Sequence, residues 1–422
     1  MSHLRRDFLR HLTGIATVPL GWSGVAGRFD AAAPPVGRVA NEDAYWDLVK
    51  QQFPLEHGLI YLNAANVCPS SRPVIDRHLD FLRDFHANPS FPNREKYKPM
   101  YERLRGKLAA MLGSAPDEIA ITRNTSEANN MVVTGLVLRP GDEVVITSHN
   151  HQSNNIAWTH RARREGFGVK TVPVPVPARS RDELIAGFEK AITPHTRLVA
   201  LTHVTSTTGI LYPVREIVAL ARARNIWVHV DGAQTFGVLA VNVRELACDS
   251  YSASAHKWLT GPLEAGVLYV RSDRLPQIWP SIVTAGWSDE LKGARKLDVL
   301  GQRDDPRLAA FEAAVDFMQM IGMEKVEARS RALALRIKQQ LSEIPGVYLK
   351  TNMEADLSGA LVKFALRNRP IKEDYDALYQ THRIALAMTP SGDAEGLRYA
   401  PHIYNSFDDV DRAVAAVRVL AG

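Results

Sequence analysis

A lysine and an aspartate stand in surroundings that suit one kind of cofactor chemistry. Lys257 follows the run Ser-Ala-Ser-Ala-His, and Asp231 ends an apolar run upstream of it. A lysine amine can bond covalently to an aldehyde, and a carboxylate can hold a pyridine nitrogen protonated so that the ring accepts electrons. The pair predicts binding of pyridoxal 5′-phosphate (PLP). Without the aspartate, a lysine after Ala-His would be interpreted as an ordinary surface side chain.

Strands and helices alternate around these two residues. Four short apolar runs are predicted to be strands buried on both faces of a mostly parallel sheet: 143–147, 198–202, 226–230 and 266–270. Apolar residues at helical spacing predict helices over 101–112 and 214–224. Because the second helix joins two of the strands, residues 198–230 are predicted to form one strand–helix–strand unit.

The pattern changes past about residue 300, where long helical stretches over 307–320 and 324–343 lead into mixed elements near 358–366 and 395–400. This change predicts an α/β protein with a separate domain at the carboxyl end. The expected divisions are a signal peptide over 1–33, an N-terminal segment over 34–75, a large PLP-binding domain over 76–300 and a small domain over 301–422.

Composition fits a globular enzyme. The chain has 422 residues, of which 45% are hydrophobic and 23% charged, so it can bury a large core. The net charge of +5 is too weak to indicate nucleic-acid binding, and no Lys/Arg run with interleaved aromatic residues appears. Cys68 and Cys248 form no Cys-x-x-Cys motif, so no metal site is expected. We expect two unpaired thiols, with a disulfide in an oxidising compartment as the alternative.

The first 33 residues have the pattern of an export signal. Arg5 and Arg6 precede Asp-Phe-Leu, a mildly apolar stretch covers 12–22, and three alanines at 31–33 precede two prolines. This order is typical of a signal peptide, and the arginine pair resembles the twin-arginine (Tat) signal. The apolar stretch is too short to span a membrane. We expect export by the Tat translocase, a periplasmic location and no membrane span in the mature protein; a basic tail is the alternative.

Several short sequence motifs, which follow one another in the family's order, resemble those of the class V branch of fold-type I PLP-dependent enzymes. The resemblance covers about residues 58–415, and its blocks are Tyr61–Asn66, Thr122–Asn130, His149–Asn154, His203–Gly209, the stretches around Asp231 and Lys257, and Arg398 through Asn405. That branch holds cysteine desulfurases, kynureninase-like enzymes, isopenicillin N epimerase-like proteins and aminotransferases. The resemblance implies a fold-type I PLP-dependent transferase fold, with a mostly parallel central sheet and a smaller α+β C-terminal domain.

Thr125 and Ser126 follow a strand-like run and precede an apolar run, so they stand where a helix begins. Free N–H groups and the helix dipole make this a suitable place for a phosphate, whereas an ordinary helix cap is the alternative. The resemblance adds Ser254 and His256 to the phosphate site. It also implies a homodimer, in which Gln302 or Arg303 lies near the phosphate of the neighbouring subunit.

The resemblance assigns four further side chains. His151 is implied to stack on the cofactor ring and to move protons, and Gln234 to donate a hydrogen bond to the ring's 3′-oxygen. Ser206 stands where desulfurases usually carry an asparagine that contacts this oxygen. Arg398 is implied to anchor a substrate carboxylate, which a guanidinium binds through two parallel hydrogen bonds. The alternative for Arg398 is a surface ion pair.

Some positions depart from the relatives. Desulfurases carry a cysteine shortly before the carboxylate-binding arginine, but residues 383–392 contain none. Persulfide chemistry needs a thiolate, so desulfurase activity is not expected. Glu264 stands where relatives often have glycine, and the sequence offers no reason for it. The remaining loop histidines, His149 and His160, are expected to be solvated.

The expected chemistry is removal of a proton from the carbon that carries the substrate's amino group, with Lys257 as general base. Transamination, epimerisation, decarboxylation and elimination remain open at this point. Export directs the enzyme to compounds finished outside the cytoplasm. Similarity to exported PLP enzymes of siderophore maturation implies a transaminase-like or oxidative modification of an amino group on a peptide or secondary metabolite. The alternatives are an epimerase of amino acids or peptides and, further away, a non-catalytic PLP-binding protein.

Overall fold

The computed structural model describes residues 42–422, so the predicted export signal lies outside the described residues. Its helices are α1 (Glu42–Lys50), α2 (Arg72–Ala87), α3 (Phe91–Arg94), α4 (Tyr97–Leu112), α5 (Thr125–Gly135), α6 (Gln152–Glu165), α7 (Arg181–Ala191), α8 (Val214–Arg222), α9 (Val243–Leu246), α10 (Asp305–Ile321), α11 (Met323–Ser342), α12 (Ile371–Gln380) and α13 (Phe407–Ala421). Its strands are β1 (Ile60–Tyr61), β2 (Ile119–Thr122), β3 (Glu143–Thr147), β4 (Gly168–Val172), β5 (Thr196–Thr202), β6 (Trp227–Asp231), β7 (Ser250–Ser254), β8 (Gly266–Val270), β9 (Val347–Leu349), β10 (Val362–Leu366), β11 (Ile384–Ala385), β12 (Ala387–Thr389) and β13 (Gly396–Tyr399).

The large sheet has seven strands in the order β2-β8-β7-β6-β5-β3-β4. The neighbours from β7 to β4 run parallel, which confirms the prediction of a mostly parallel sheet. The strand predicted over 266–270 is present as β8, but it runs antiparallel to both of its neighbours. All five of its residues are buried. An apolar run indicates burial on both faces and leaves the direction of the strand open.

Helix α8 connects β5 to β6 and completes the predicted strand–helix–strand unit. Its Val214, Ile217, Val218 and Ala221 form a buried apolar stripe, as helical spacing requires. Helix α4 begins at Tyr97, earlier than predicted, and ends at Gly113, whose φ of 69° is left-handed. A glycine adopts that conformation without the clash that a Cβ atom would cause.

A second, antiparallel sheet has the order β12-β13-β10-β9. Its core contains Leu333 and Ile337 of α11, Phe364 of β10 and Val414 of α13. The short strand β1 pairs with β11 of this region, so the N-terminal segment packs beside the carboxyl end of the chain. Helix α10 belongs instead to the core of the large sheet. The two sheets thus have separate cores, and the proposed site lies where elements of both meet.

Candidate active site

The large sheet brings several predicted site residues to one edge. Asp231 is the last residue of β6, and Ser254 is the last residue of β7, with Lys257 in the turn that follows. Ser206 follows the end of β5. These are carboxyl ends of neighbouring parallel strands, which is where open α/β sheets bind their ligands. Thr125 joins them as the first residue of α5.

Asp231 is fixed by two hydrogen bonds and is only 2% exposed. Its Oδ2 accepts from Nδ2 of Asn129 at 3.0 Å, and its Oδ1 accepts from the backbone N–H of Ala233 at 3.0 Å. Asn129 Oδ1 in turn accepts from the hydroxyl of Ser252. These contacts fix the orientation of the Asp231 carboxylate, which suits it to pair with a protonated pyridine nitrogen.

His229 extends this network behind Asp231, and the sequence did not single it out. Its Nε2 lies 2.9 Å from Asn129 Oδ1, and its Nδ1 lies 2.8 Å from Ser250 Oγ. Ser250 Oγ accepts from Trp227 Nε1 at 2.9 Å, so its own O–H is free to donate to His229 Nδ1. The proton of His229 therefore belongs on Nε2, facing Asn129. Burial lowers the pKa of His229 to about 4, which keeps the ring neutral.

Hydroxyl groups line the start of α5. Ser254 Oγ accepts from the Thr125 N–H at 2.7 Å and lies 2.6 Å from Thr125 Oγ1. The helix cap is Asn124, whose Oδ1 accepts from the N–H of Glu127 at 2.9 Å. The capping role considered for Thr125 and Ser126 thus belongs to the residue before them. The Thr125 hydroxyl is paired with Ser254, and the Ser126 hydroxyl donates to Ser153 Oγ at 3.4 Å, so a cluster of hydroxyls stands at the positive end of the helix, where anions bind.

His256 supplies a further group at this place. Its Nδ1 is buried and has no hydrogen-bond partner in the described chain. Burial, and then the positive charge of Lys257, lowers the pKa of His256 to about 4. A buried polar atom without a partner is costly, and a ligand oxygen or hydroxyl would satisfy it. With the helix end and the fixed Asp231, these residues fit PLP.

The charges of Lys257, Asp231, His151 and Arg398 act on one another. Loss of solvent lowers the pKa of Lys257; the charge of Asp231 opposes this shift and that of Arg398 adds to it. Loss of solvent, then Lys257, lowers the pKa of His151. His151 lies at the start of α6, and its Nδ1 is 2.8 Å from Ser153 Oγ. Four separate segments therefore converge on one site.

Arg398 reaches the site from β13 of the small sheet. Its Nη1 donates to the backbone oxygen of Ser206, and its Nη2 donates to Asn63 Oδ1 at 3.0 Å. Its Nε is buried without a partner in residues 42–422. Burial lowers the pKa of Arg398 to about 10. Because its partners are uncharged oxygens, the geometry differs from the surface ion pair considered above and leaves the positive charge available for a carboxylate.

Gln234 is held beside the turn that carries Lys257. Its Oε1 accepts from Trp258 Nε1 at 2.8 Å, and its Nε2 donates to the backbone oxygen of Ala65 at 2.9 Å. One N–H of the amide is left over, so the contact with a 3′-oxygen stays a prediction. Ser206 contributes a backbone oxygen to Arg398, and a role for its hydroxyl stays a prediction as well.

Gln302 and Arg303 lie at a cavity of about 310 Å³ near the strand that leads to Thr125. Gln302 Oε1 accepts from Arg94 Nη2 at 2.7 Å. Arg303 Nη1 donates to the backbone oxygen of Ile121 at 2.9 Å. Both residues thus contact their own chain here, and their contact with the phosphate of a neighbouring subunit remains a prediction.

Two expectations change. His149 was expected to be solvated, but it is 5% exposed and its Nε2 lies 2.9 Å from Asp393 Oδ2. A turn of the small sheet covers it, which no local pattern indicates. Glu264 forms an ion pair with Arg307 and has a φ of 53°. That left-handed conformation explains why glycine suits the position in relatives. His160 is exposed, as expected.

Both cysteines are buried and unpaired. Cys68 Sγ lies 3.6 Å from the hydroxyl of Tyr404, and Cys248 follows the short helix α9. Burial raises the pKa of each thiol. Neither one is therefore a thiolate poised to attack a substrate.

Residues 42–422 contain neither a metal-binding cluster nor a membrane-spanning helix. No group of three or more His, Cys, Asp or Glu side chains there is arranged to hold a metal ion. None of the helices in that range has the length and apolar character needed to cross a membrane.

The family described as aminotransferase class-V matches residues 60–412. An isopenicillin N epimerase of Amycolatopsis lactamdurans is 31% identical over 396 residues, covering 89% of this chain and 98% of that protein. A probable cysteine desulfurase of Halobacterium salinarum is 30% identical over 387 residues, covering 85% and 91%. The solved cysteine desulfurase of Escherichia coli is similar in fold, with a TM-score of 0.78 and 25% identity, over 87% of this chain and 96% of that one.

Proposed function

Since the chain belongs to the class V aminotransferase family of PLP-dependent enzymes, we propose that it acts on the amino group of an amino acid or peptide-like substrate that carries a carboxylate. The supporting observation is Arg398, which is half-buried with uncharged partners and whose charge acts on the pKa values of Lys257 and His151. A carboxylate bound to Arg398 would thus bring the neighbouring amino group to the lysine. The proposed outcome is a transaminase-like or oxidative modification.

The residues of the site divide this work among them. PLP, when bound, supplies an electron-accepting ring that makes the hydrogen beside the amino group acidic. Asp231, held by Asn129 and Ala233, keeps its charge for the ring nitrogen. The lowered pKa of Lys257 gives it a larger neutral fraction, as a proton acceptor requires. Arg398 orients the substrate, because a planar guanidinium binds a carboxylate in one orientation.

Desulfuration is disfavoured by the positions of the thiols. Cys68 is buried beside Tyr404, and the stretch before Arg398 contains no cysteine. Desulfuration of cysteine transfers the substrate's sulfur to an enzyme thiolate, so that the substrate's C–S bond breaks and a persulfide forms on the enzyme cysteine, and this step needs a thiolate beside the substrate. The likeness to cysteine desulfurases therefore supports a shared fold and cofactor more than a shared reaction.

Epimerisation is the second candidate, and one observation favours it. Two isopenicillin N epimerases, from Amycolatopsis lactamdurans and Streptomyces clavuligerus, align over 98% and 99% of their own lengths. An epimerase returns a proton to the opposite face of the same carbon and keeps the amine. A transaminase gives up the amine to the cofactor.

Isotope exchange separates the two candidates. The purified, PLP-loaded enzyme is incubated in deuterated water with a panel of free amino acids and of peptides with a glutamyl group. Deuterium at the carbon that bears a retained amine supports the epimerase, and a ketone or aldehyde product supports the transaminase. If the Lys257→Ala variant gives the same products as the wild type, both candidates are wrong.

We further propose that the protein works in the periplasm after Tat export, on a maturing peptide siderophore or a related metabolite. The support is the order of features in residues 1–33, led by Arg5 and Arg6. Changing both arginines to lysine should hold unprocessed precursor in the cytoplasm, whereas normal periplasmic accumulation would contradict export. In a deletion strain, an unchanged siderophore mass would exclude the maturation role.

A homodimer is also proposed. Large apolar side chains remain exposed on the single chain, among them Leu263, Trp279 and Val283, and Ile282 lines the same cavity as Gln302. A second copy of the chain would cover this surface and place Gln302 or Arg303 near its own phosphate site. Light scattering tests this proposal, and a fully active monomer would contradict it.

A further inference from the structure

A turn of the small sheet contacts the loop that carries His151. Residues 390–395 form this turn between β12 and β13, and β13 also carries Arg398. Asp393 Oδ2 in the turn lies 2.9 Å from Nε2 of His149, which belongs to the same loop as His151. The turn therefore joins the proposed substrate anchor to the proposed cofactor-stacking residue.

The turn is fixed at its base by a buried lysine. Lys363 on β10 is 0% exposed, and its Nζ donates to Thr389 Oγ1 at 2.8 Å and to the backbone oxygen of Gly396 at 2.7 Å. These acceptors are the last residue of β12 and the first residue of β13. Because one side chain holds both strand ends, the base of the turn has a fixed position relative to Arg398 on β13.

The loop on the opposite side is fixed as well. Asn150 Nδ2 donates to the backbone oxygen of Ala200 at 2.9 Å, and its Oδ1 accepts from Thr147 Oγ1 at 2.8 Å. His149 is buried beside it. The contact with Asp393 thus connects two anchored segments, each of which carries a residue of the proposed site.

The surroundings of Asp393 favour its carboxylate form. Burial alone would raise the pKa of Asp393, but its hydrogen bond with His149 and the charges of His149 and Lys350 leave that pKa lowered. Lys350 Nζ also donates to the backbone oxygen of Asp393 at 2.9 Å. Asp393 is therefore ionised at neutral pH and can accept from His149.

We propose that Asp393 and His149 form a latch that closes the turn 390–395 over the site and sets the separation between Arg398 and His151. This inference rests on the proposed function, in which a substrate carboxylate binds Arg398. Both latch residues are positioning residues, and neither is assigned to the reacting atoms. Asp393, which directly follows the stretch compared with the cysteine-bearing loop of desulfurases, would supply a contact between the two sheets in this chain.

Binding measurements with two simple amines test the latch. L-Alanine carries a carboxylate and ethylamine does not, and each is titrated into the PLP-loaded enzyme while the absorbance of the cofactor is followed. Asp393→Ala and His149→Ala should each weaken the binding of L-alanine about tenfold, because each variant loses a hydrogen bond to a charged group. The double variant should be no worse than either single variant, and ethylamine should bind unchanged.

A matched control removes a different carboxylate from the same turn. Glu395 is exposed, and Glu395→Gln should leave L-alanine binding unchanged. Equal weakening by Glu395→Gln, or additive losses in the double variant, would overturn the latch.

Hydrogen exchange gives a second measurement that needs no amine. Backbone N–H groups of 391–395 and 148–151 should exchange faster in Asp393→Ala than in the wild type, and Glu395→Gln should not change them. Unchanged exchange in Asp393→Ala would overturn the latch. If neither amine alters the wild-type absorbance, the proposed function fails, and the exchange rates still decide the latch.

Discussion

The cofactor side and the substrate side of the site balance their charges differently. On the cofactor side, the carboxylate of Asp231 receives N–H groups from Asn129 and Ala233. On the substrate side, Arg398 and Lys363 are cross-strand partners on β13 and β10, and both donate to uncharged oxygens. On the cofactor side, the polar groups have hydrogen-bond partners within the chain. On the substrate side, positive charge remains that a bound anion would balance.

The pKa values reflect this difference. Burial lowers the pKa of Arg398 to about 10, and burial together with the charge of Arg398 lowers the pKa of Lys363 to about 7. Buried charges without a charged partner are costly, and an opposite charge reduces that cost. We therefore expect the substrate side to favour an anionic group, and the following predictions test each side in turn.

The largest effect is expected for Lys257→Ala on the cofactor side. Removing the amine should abolish the borohydride-fixable bond to PLP and lower kcat/KM by about a thousandfold, because the same group is proposed as the proton acceptor. Mass spectrometry after reduction and steady-state kinetics measure the two effects. Lys190→Ala, at an exposed lysine of α7, is the control and should keep both properties.

Arg398→Lys should lower kcat/KM for a carboxylate-bearing substrate by about a hundredfold, because an ammonium cannot bind a carboxylate through two parallel bonds. The substrate's amide analogue, which lacks the charge, should lose far less. Arg367→Lys changes an exposed arginine just after β10 and should behave as wild type. A similar loss of kcat/KM for both substrates would mean that Arg398 does not bind the carboxylate. The proposed difference between the two sides would then be wrong.

Asn129→Ala tests whether the cofactor side is held by its buried network. Asp231 and His229 would each lose a partner, so the free energy of unfolding should fall by about 1–3 kcal/mol. Urea unfolding of the PLP-free protein measures this loss. Asn130→Ala removes an exposed neighbour on the same helix and should cost much less. Equal losses in the two variants would show that the network adds no stability.

Lys363→Met should have the smallest effect of the four variants. The effect is a change in how the free energy of unfolding depends on pH. The folded-state pKa of about 7 lies below the ordinary 10.5, so the unfolded chain binds more protons between these values. The free energy of unfolding of the wild type should therefore rise with pH from 7 towards 10. In the variant, this rise should be smaller by about 1 kcal/mol per pH unit. Urea unfolding at pH 7 and pH 9 measures it. Identical slopes would show that Lys363 is charged in the folded protein.

Local patterns were enough for much of the fold. The strands predicted over 143–147 and 266–270 have those bounds in the structure, because a short apolar run between polar residues indicates a buried strand. The direction of β8 was not predictable in this way, since it depends on which strands lie beside it. The start of α4 at Tyr97 was missed for a related reason: its buried Tyr97 and Met100 pack against residues distant in sequence.

The sequence by itself determined the cofactor, because Lys257 and Asp231 each stand in a recognisable local context, and it left the type of reaction open. It also indicated where Thr125 starts a helix. Only the tertiary structure decided which residues hold the site in place. Asn129 and His229 lie behind Asp231, and Asp393 contacts His149. These pairs join residues far apart along the chain. A contact of that kind depends on how sheets and turns pack. The residue pattern within each of the two contacting segments therefore does not predict it.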